Sequence, residues 1–268
     1  MKGGVGKTTL AVNVAHVLSE RLGKRVLIVD VDPQFNATQA LLSGDNYLKL
    51  RQSGCDTVYD IFSENPAPLV SLVEGTTPVV AKTLETILPT KIKTNLDLML
   101  GNLEIYRVEM VAGQGTEMRL KAFLKHQSAN YDYAIIDTPP TPSVYMSSAI
   151  LASHYYVVPI KPEPMSRVGI DLLQGVINRV SANNGHDISC AGVVITMSAK
   201  TTLVYKECRS ELRKHELWKD RVLRNHLPQR TAIAKAQGKQ ELILDGTDFD
   251  SKRAITNIVT ELLEKIDG

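Results

Sequence analysis

The first nine residues of this 268-residue chain have the composition and spacing of a phosphate-binding loop. Three glycines let consecutive backbone N–H groups close around a phosphate, and the Lys7 ammonium that follows can reach the β- and γ-phosphates. The hydroxyl of Thr8 is a suitable ligand for Mg²⁺ on a bound nucleotide. The predicted nucleotide-binding residues of this loop are Gly3, Gly4, Val5, Gly6, Lys7, Thr8 and Thr9.

Carboxylates stand at the ends of two predicted buried strands. Asp30 and Asp32 follow the apolar run 26–29, and Asp137 ends a second run that begins near residue 131. Phosphoryl transfer requires mainly positioning and charge neutralisation, which carboxylates provide by holding metal ions and water. Carboxylates at a strand end can also be purely structural, and we favour that interpretation for Asp30.

Four segments together resemble the deviant Walker A family of ParA-, Soj- and MinD-type dimeric ATPases. They are K-G-G-V-G-K-T-T at 2–9, D-V-D-P-Q at 30–34, D-T-P-P at 137–140 and Y-Y-V-V-P-I-K-P-E at 155–163. The resemblance extends over nearly the whole chain. It implies that the cofactors are ATP and Mg²⁺.

The resemblance also implies roles for single residues. Lys2, which phosphate binding within one chain does not need, is expected to cross a subunit interface and contact the partner's nucleotide. Asp32 is expected to orient or deprotonate the attacking water, and Asp137 to hold a metal-bound water. The expected catalytic residues are Lys2, Lys7 and Asp32, and those at the metal are Thr8, Asp32 and Asp137.

Two matches to the family pattern are weaker. Pro228 and Gln229 stand where the family places a loop against the adenine, although the usual Pro-Arg is here Pro-Gln. Phe35 replaces the glycine that often follows D-P-Q, and we expect it to alter a dimer interface or simply to pack.

Predicted strands and helices alternate, which indicates an α/β fold with a doubly wound, mostly parallel sheet and helices on both faces. One P-loop ATPase domain over residues 1–268 suffices for this length. Asn36 is a candidate N-cap for a helix over 36–42. Because a phosphate-binding loop joins a strand to a helix, we expect the first strand within a segment of about 8–12 residues before Met1.

Composition argues against membrane-spanning and iron–sulfur proteins. No apolar run approaches the roughly 18 residues of a membrane helix. The three cysteines, Cys55, Cys190 and Cys208, lack the spacing of cluster ligands and suit a reducing cytoplasm.

A final helix predicted over 251–265 has apolar residues at helical spacing. That pattern suits either core packing or a membrane-surface helix of the MinD type. Anionic lipids would repel its polar positions Glu261, Glu264 and Asp267. We therefore favour core packing and expect no membrane partner.

Positive charge is concentrated in residues 200–239, which hold eleven Lys or Arg against four Asp or Glu. On a helix predicted over 204–217, Lys206, Arg209 and Arg213 fall on one stripe. Such a stripe is usually a solvated face, and it is the resemblance that favours DNA. Binding through phosphates alone would ignore sequence. The candidate DNA-binding residues are Lys200, Lys206, Arg209, Arg213, Arg224 and Arg230.

The combined expectation is a cytoplasmic, nucleoid-associated ATPase that forms a homodimer around ATP and binds DNA nonspecifically. It would segregate a plasmid or chromosome through a centromere-binding adaptor protein. Two alternatives stay open: a MinD-like or protein-cargo-positioning ATPase, and an ATP-dependent metabolic ligase of the same superfamily.

Overall fold

The computed structural model describes residues 4–63, 82–111, 113, 115–163, 166–230, 233 and 239–267. Strands and helices alternate along these residues. The strands are β1 (Val26–Asp30), β2 (Thr90–Lys93), β3 (Leu96–Met99), β4 (Tyr133–Asp137), β5 (Tyr155–Ile160), β6 (Ser189–Ser198) and β7 (Leu227–Pro228). The helices are α1 (Lys7–Glu20), α2 (Asn36–Leu41), α3 (Gly44–Gln52), α4 (Val58–Phe62), α5 (Ile105–Val111), α6 (Arg119–Gln127), α7 (Val144–Ala152), α8 (Ser166–Asn184), α9 (Leu203–Lys214) and α10 (Phe249–Asp267).

The strands form two sheets. In the first, the order is β2-β3-β1-β4, where β3, β1 and β4 are parallel and β2 runs antiparallel at the edge. In the second, β5, β6 and β7 lie side by side in parallel. The doubly wound, mostly parallel α/β architecture predicted from the sequence is therefore confirmed.

Strand β1 is buried on both faces, as its unbroken apolar sequence predicts. Val26 and Ile28 point into a core shared with α1 and α10. Leu27 and Val29 point into the opposite core, with α4, α6 and α7. Successive side chains of a strand point to opposite faces of the sheet, so β1 packs against helices on both sides.

The register of β1 against β4 brings acidic residues together. Val29 pairs with Ile136, and Asp30 pairs with Asp137. Parallel strands end at the same edge of a sheet, so the carboxylates predicted at two strand ends share one edge.

The last helix packs into the core, as we favoured. Ile255, Ile258, Val259 and Leu262 of α10 are buried against α1 and β6. Glu261 is buried too, and it accepts hydrogen bonds from the backbone N–H groups of Arg224 and Asn225. Among the described helices, none combines the length and apolar character needed to cross a bilayer.

Candidate functional site

The phosphate-binding loop has the backbone that its glycines permit. Gly4 has φ 75° and Gly6 has φ 80°, in the left-handed region that side chains disfavour. Helix α1 begins at Lys7 with Gly6 as its N-cap, and no side chain caps it. The amino-terminal end of a helix carries backbone N–H groups and a partial positive charge, which suits an anion at this position. Lys2 and Gly3 lie outside the described residues.

Two threonines attach the loop to the strand ends. Thr8 Oγ1 donates to Asp137 Oδ2 over 2.7 Å. Thr196 of β6 donates through Oγ1 to the carbonyl oxygens of Val5, at 2.7 Å, and Ile160, at 3.0 Å. The loop is thereby connected to β4, β5 and β6.

Three carboxyl groups are buried beside this loop. Asp30, Asp32 and Asp137 are 0%, 4% and 2% exposed. Burial raises the pKa of Asp137 to about 6, although the Thr8 hydrogen bond and the Lys7 charge oppose this rise. Burial and the charge of Asp137 hold the pKa of Asp30 well above its usual range. A divalent cation at Thr8 and Asp137 would offset this concentration of negative charge, so the residues present fit Mg²⁺.

Asp30 supports the backbone around the site. Its Oδ2 accepts hydrogen bonds from the Thr38 N–H and hydroxyl, at 2.7 and 2.8 Å. The Thr38 Oγ1 in turn accepts from the Gly101 N–H at 2.8 Å. A side chain at Gly101 would collide with Phe35 Cβ and Asp30. This arrangement supports a structural role for Asp30.

Asp32 lies in a tight turn that ends in an aromatic stack. Its Oδ1 accepts from the Gln34 N–H at 2.9 Å, and its carbonyl accepts from the Phe35 N–H at 2.7 Å. Phe35 has φ 41° and is itself the N-cap of α2, so the prediction of Asn36 as N-cap was wrong. The Phe35 ring stacks on Tyr47, with centroids 5.5 Å apart, and Tyr47 Oη donates to the Gly101 carbonyl.

A cavity of about 800 Å³ opens in front of these residues, which is ample for a nucleotide. Gly4, Gly6, Lys7, Thr8, Thr9 and Asp32 line one end, and Phe35 and Tyr47 line another part of the wall. Met197 and Gln240 also line it, with φ values of 52° and 55°, and no sequence motif predicted either residue. A non-glycine residue in left-handed backbone leaves no signature in a single sequence.

The predicted adenine-side residues lie next to the cavity's wall. Pro228 pairs with Ser198 at the end of β6, directly after Met197. Neither Pro228 nor Gln229 lines the cavity described above.

Helix α9 presents part of the predicted basic stripe to solvent. Lys206 and Arg213 are exposed, whereas Tyr205 and Leu212 on the other side of the helix are buried. Lys200, just before the helix, is exposed as well. Arg209 is half-buried and donates to the Tyr205 hydroxyl at 2.7 Å and to the Arg224 carbonyl at 3.2 Å.

Lys200 and Arg209 both affect the half-buried imidazole of His226. Burial, followed by these two positive charges, lowers the pKa of His226 to about 4. The residue is therefore neutral at pH 7.

The two remaining candidates already have acidic partners. Arg224 pairs with Glu261 and Glu264 of α10, at 3.4 and 3.3 Å. Arg230 pairs with Asp250 at 2.9 Å and Asp248 at 3.8 Å. These contacts make Arg224 and Arg230 weaker candidates for binding phosphates than the exposed cations of α9.

Comparison with known proteins gives a consistent set of relatives. The family model described as AAA domain matches residues 1–190. The sporulation initiation inhibitor protein Soj of Bacillus subtilis is 33% identical over 248 residues, which are 91% of this chain and 88% of Soj.

Solved structures show the same fold. A putative plasmid partition protein of Borrelia burgdorferi, bound to AMPPNP, superposes with a TM-score of 0.75 and 23% identity, covering 98% of this chain and 95% of its own. Cobyrinic acid a,c-diamide synthase of Mycobacterium smegmatis, with a bound ATP analogue and magnesium, superposes with a TM-score of 0.74 and 22% identity. The match covers 100% of this chain and 93% of the synthase.

Proposed function

This chain belongs to the AAA domain family and to its ParA/Soj partition ATPases, and from that premise we propose that it hydrolyses ATP to ADP and phosphate in order to segregate DNA. The proposed cycle has an ATP-bound homodimer that binds DNA without sequence preference. A centromere-binding adaptor protein would link this cycle to a plasmid or chromosome. The proposed location is the cytoplasm, on the nucleoid.

One observation carries the proposed hydrolysis. Thr8 and Asp137 are hydrogen-bonded to each other directly beside a glycine loop that opens a helix, with Asp32 buried nearby. When bound, Mg²⁺ would supply charge neutralisation for the phosphates at these two residues. Such a site asks the protein mainly for positioning, which the surrounding hydrogen bonds provide.

Different residues of the chain would bind the phosphates, orient the attacking water and support the loop that carries Asp32. Lys7 and the loop N–H groups would bind the phosphates. Asp32 would accept a hydrogen bond from the attacking water and orient it, or remove its proton. Asp30 would hold the Asp32 loop through Thr38.

We propose Lys2 as the residue that completes the site across the dimer. Lys7 and the loop amides already suffice for phosphates within one chain, so a second lysine is available for the partner's nucleotide. Two chains closed around ATP would present two copies of the α9 surface, which strengthens binding to one polyanion.

The deciding experiment measures DNA binding with ATP and with ADP over a range of salt concentrations. We expect binding that is much tighter with ATP than with ADP, weakens steeply with salt and does not distinguish unrelated sequences. Binding that is absent with ATP, or equal with ADP, would contradict the DNA part of the proposal while leaving ATP hydrolysis to be measured separately.

A metabolic ligase is the second candidate. The 800 Å³ cavity extends past the phosphate loop to Phe35 and Tyr47, and the synthase of similar fold was crystallised with an ATP analogue. Such an enzyme would use the γ-phosphate to activate a small carboxylate. It predicts no nucleotide-dependent binding to DNA and turnover only with its substrate, so the same experiment separates the two candidates.

Positioning of a protein cargo is a third possibility within the family. It shares the ATP and DNA steps, and only the cargo differs. A membrane-bound MinD-like cycle fits less well, because the apolar face of α10 is already buried in the core.

A further inference from the structure

Three buried polar side chains lie on one stripe of helix α1. They belong to Thr9, Asn13 and His16, at positions i, i+4 and i+7. Most of the other buried residues of this helix are apolar and pack in the core with β1 and α10. Buried polar groups are normally hydrogen-bonded, so a polar stripe on a buried helix indicates a segment that the helix holds in place.

The segment held by this stripe is the turn at residues 242–246. Asn13 Oδ1 accepts a hydrogen bond from the Ile243 N–H at 2.7 Å, and Asn13 Nδ2 donates to the Thr9 carbonyl at 2.7 Å. Both bonds are buried, where a lost hydrogen bond is costly. A single amide therefore connects the turn to the first turn of α1, directly after the phosphate-binding loop.

A second set of contacts holds the same turn. Asp245 accepts hydrogen bonds from Lys93 of β2 at 3.1 and 3.2 Å, and His16 Nε2 lies 3.7 Å from it. The Asp245 carboxylate also accepts from the Leu242 N–H at 3.2 Å, and the Asp245 N–H donates to the Leu242 carbonyl at 2.9 Å. Leu242 and Ile243 are buried in the core. The turn is thus attached to α1 and β2 and closed by its own hydrogen bonds.

Gln240 lies two residues before this turn and lines the nucleotide cavity, as do Gly6, Lys7 and Met197. Its φ of 55° is in the left-handed region, which a non-glycine residue adopts only where the surrounding structure holds it. Backbone strain of this kind is concentrated at ligand-binding sites. Gln240 is exposed, and its neutral side-chain amide can donate and accept hydrogen bonds at the same time.

We propose that Gln240 contacts the nucleoside part of the bound nucleotide and that Asn13 is its positioning residue. Phosphate oxygens only accept hydrogen bonds, so they suit Lys7 and the loop N–H groups and would leave the acceptor of an amide unused. Ribose hydroxyls and the edge of a purine offer both donors and acceptors, which an amide matches. The inference rests on the proposed nucleotide site, but not on dimerisation, DNA binding or hydrolysis.

The connection through α1 explains why Asn13 would matter to binding. The phosphate-binding loop continues directly into α1, and Gln240 is tied to the same helix through the turn and Asn13. The two sets of contacts are therefore held at a fixed separation before the nucleotide arrives. A nucleotide that bridges them would lose less free energy in ordering its own site.

Equilibrium binding of ADP and of inorganic pyrophosphate, each with Mg²⁺, tests the inference without hydrolysis or DNA. Gln240→Ala, at an exposed position, should weaken ADP binding roughly three- to tenfold, which is the effect of one neutral hydrogen bond. It should leave pyrophosphate binding unchanged. Glu241→Ala truncates the exposed neighbour, which does not line the cavity, and should bind both probes as the parent does.

The positioning role of Asn13 has its own test. Asn13→Ala should also weaken binding of ADP but not of pyrophosphate. Because Asn13 acts through Gln240, adding Asn13→Ala to Gln240→Ala should weaken ADP binding no further. A merely structural asparagine would instead affect both probes, and its effect would add to that of Gln240→Ala.

Four outcomes would overturn the inference in whole or in part. Parental ADP affinity in Gln240→Ala would remove Gln240 from the site. An equal loss of ADP and pyrophosphate binding would assign it to the phosphates. Additive losses in the double variant would remove the positioning role of Asn13. A parent chain that binds neither probe would contradict the nucleotide site itself, whereas the first three results leave the proposed ATPase cycle intact.

Discussion

At the scale of residues, the central question is which carboxylate acts on water. Asp137 accepts a hydrogen bond from the Thr8 hydroxyl, and Asp30 accepts one from the Thr38 hydroxyl. Asp32 accepts from the Gln34 N–H through one oxygen, Oδ1, and its side chain faces the cavity. Of the three, Asp32 is therefore best placed to receive a water molecule in front of the phosphates.

We predict that Asp32→Ala slows ATP hydrolysis by about 10²-fold or more, because a positioned base or water-orienting group contributes on that order. ATP affinity and the ATP-dependent dimer should persist, since Asp32 is not needed to hold phosphates. Steady-state hydrolysis and analytical ultracentrifugation measure the two properties. Asp45→Ala, an exposed carboxylate on α3, is the matched control and should change neither. Normal turnover by Asp32→Ala would remove this residue from the mechanism.

The Phe35–Tyr47 stack supplies a second residue-scale prediction. Phe35 ends the turn that begins at Asp32, in left-handed backbone that costs a non-glycine residue about 1–2 kcal/mol. The stack and the Tyr47–Gly101 hydrogen bond hold it there. We expect Phe35→Ala to lower kcat several-fold with little change in KM for ATP, because the Asp32 turn loses its anchor. Phe35→Tyr, which keeps the stacked ring, should restore kcat. A loss confined to KM would instead indicate that the ring contacts nucleotide.

At the scale of elements, α1 carries a buried histidine that should make stability depend on pH. His16 is 0% exposed, and among the described residues its Nδ1 has no hydrogen-bond partner. Its Nε2 lies 3.0 Å from Lys93 Nζ and 3.7 Å from Asp245. Burial first, and then the Lys93 charge, lower the pKa of His16, while Asp245 and Glu20 oppose this.

The sign of the effect follows from proton binding. Below pH 6.5 the unfolded chain protonates His16 but the folded chain resists, so unfolding takes up a proton. The free energy of unfolding should therefore fall as pH decreases from 6.5 towards the lowered pKa, by at most about 1.4 kcal/mol per pH unit. Urea unfolding of the parent and of His16→Gln from pH 7.5 to 5 measures it. Parallel curves for the two proteins would show that His16 does not titrate differently on folding.

Helix α9 gives the element-scale test of DNA binding. Lys206 and Arg213 are exposed on it, whereas Arg209 also holds Tyr205 and the Arg224 carbonyl. The double variant Lys206→Ala, Arg213→Ala is therefore cleaner than one that includes Arg209. We expect weaker binding to all DNA sequences. The slope of log affinity against log salt concentration should become smaller by about one per lost phosphate contact. ATP binding should be unchanged.

A charge-matched control makes this test specific. The double variant Lys121→Ala, Lys125→Ala removes two exposed lysines from α6. Its slope of log DNA affinity against log salt concentration should equal that of the parent protein. If both double variants behave alike, the effect is one of net charge. If neither changes binding, α9 is a solvated face and Lys200 becomes the next residue to test.

At the scale of the whole molecule, the sequence predicted what local patterns encode. The apolar runs of β1 and β6, the glycine loop and the carboxylates at strand ends each lie within a few neighbouring residues. The fold class follows from the alternation of apolar strands with helices. The carboxylates share one edge of the sheet because parallel strands end at the same edge. Family resemblance then supplied the roles of Lys2, Asp32 and the α9 cations, which remain predictions.

What the sequence did not predict depends on contacts between distant residues. Phe35 and Tyr47 stack only because Gly101, more than fifty residues away, leaves room for the turn. Met197 and Gln240 reach the cavity through left-handed backbone at the ends of separate segments. The acidic partners of Arg224 and Arg230 come from α10 and the residues before it, so charge counting along the chain overestimated the free positive surface.

ATP should change how the whole assembly binds DNA. If two chains close around nucleotide, one DNA segment meets two α9 surfaces, so the number of phosphates neutralised should double. The slope of log affinity against log salt with a nonhydrolysable ATP analogue should then be about twice that with ADP. Lys2→Ala should keep nucleotide affinity but show the ADP slope under both conditions, because the proposed contact across the interface is lost. Lys24→Ala, an exposed lysine after α1, is the control and should behave as the parent. A slope that does not change with nucleotide, or a Lys2→Ala protein that retains the doubled slope, would separate DNA binding from dimerisation and leave the coupling between them without support.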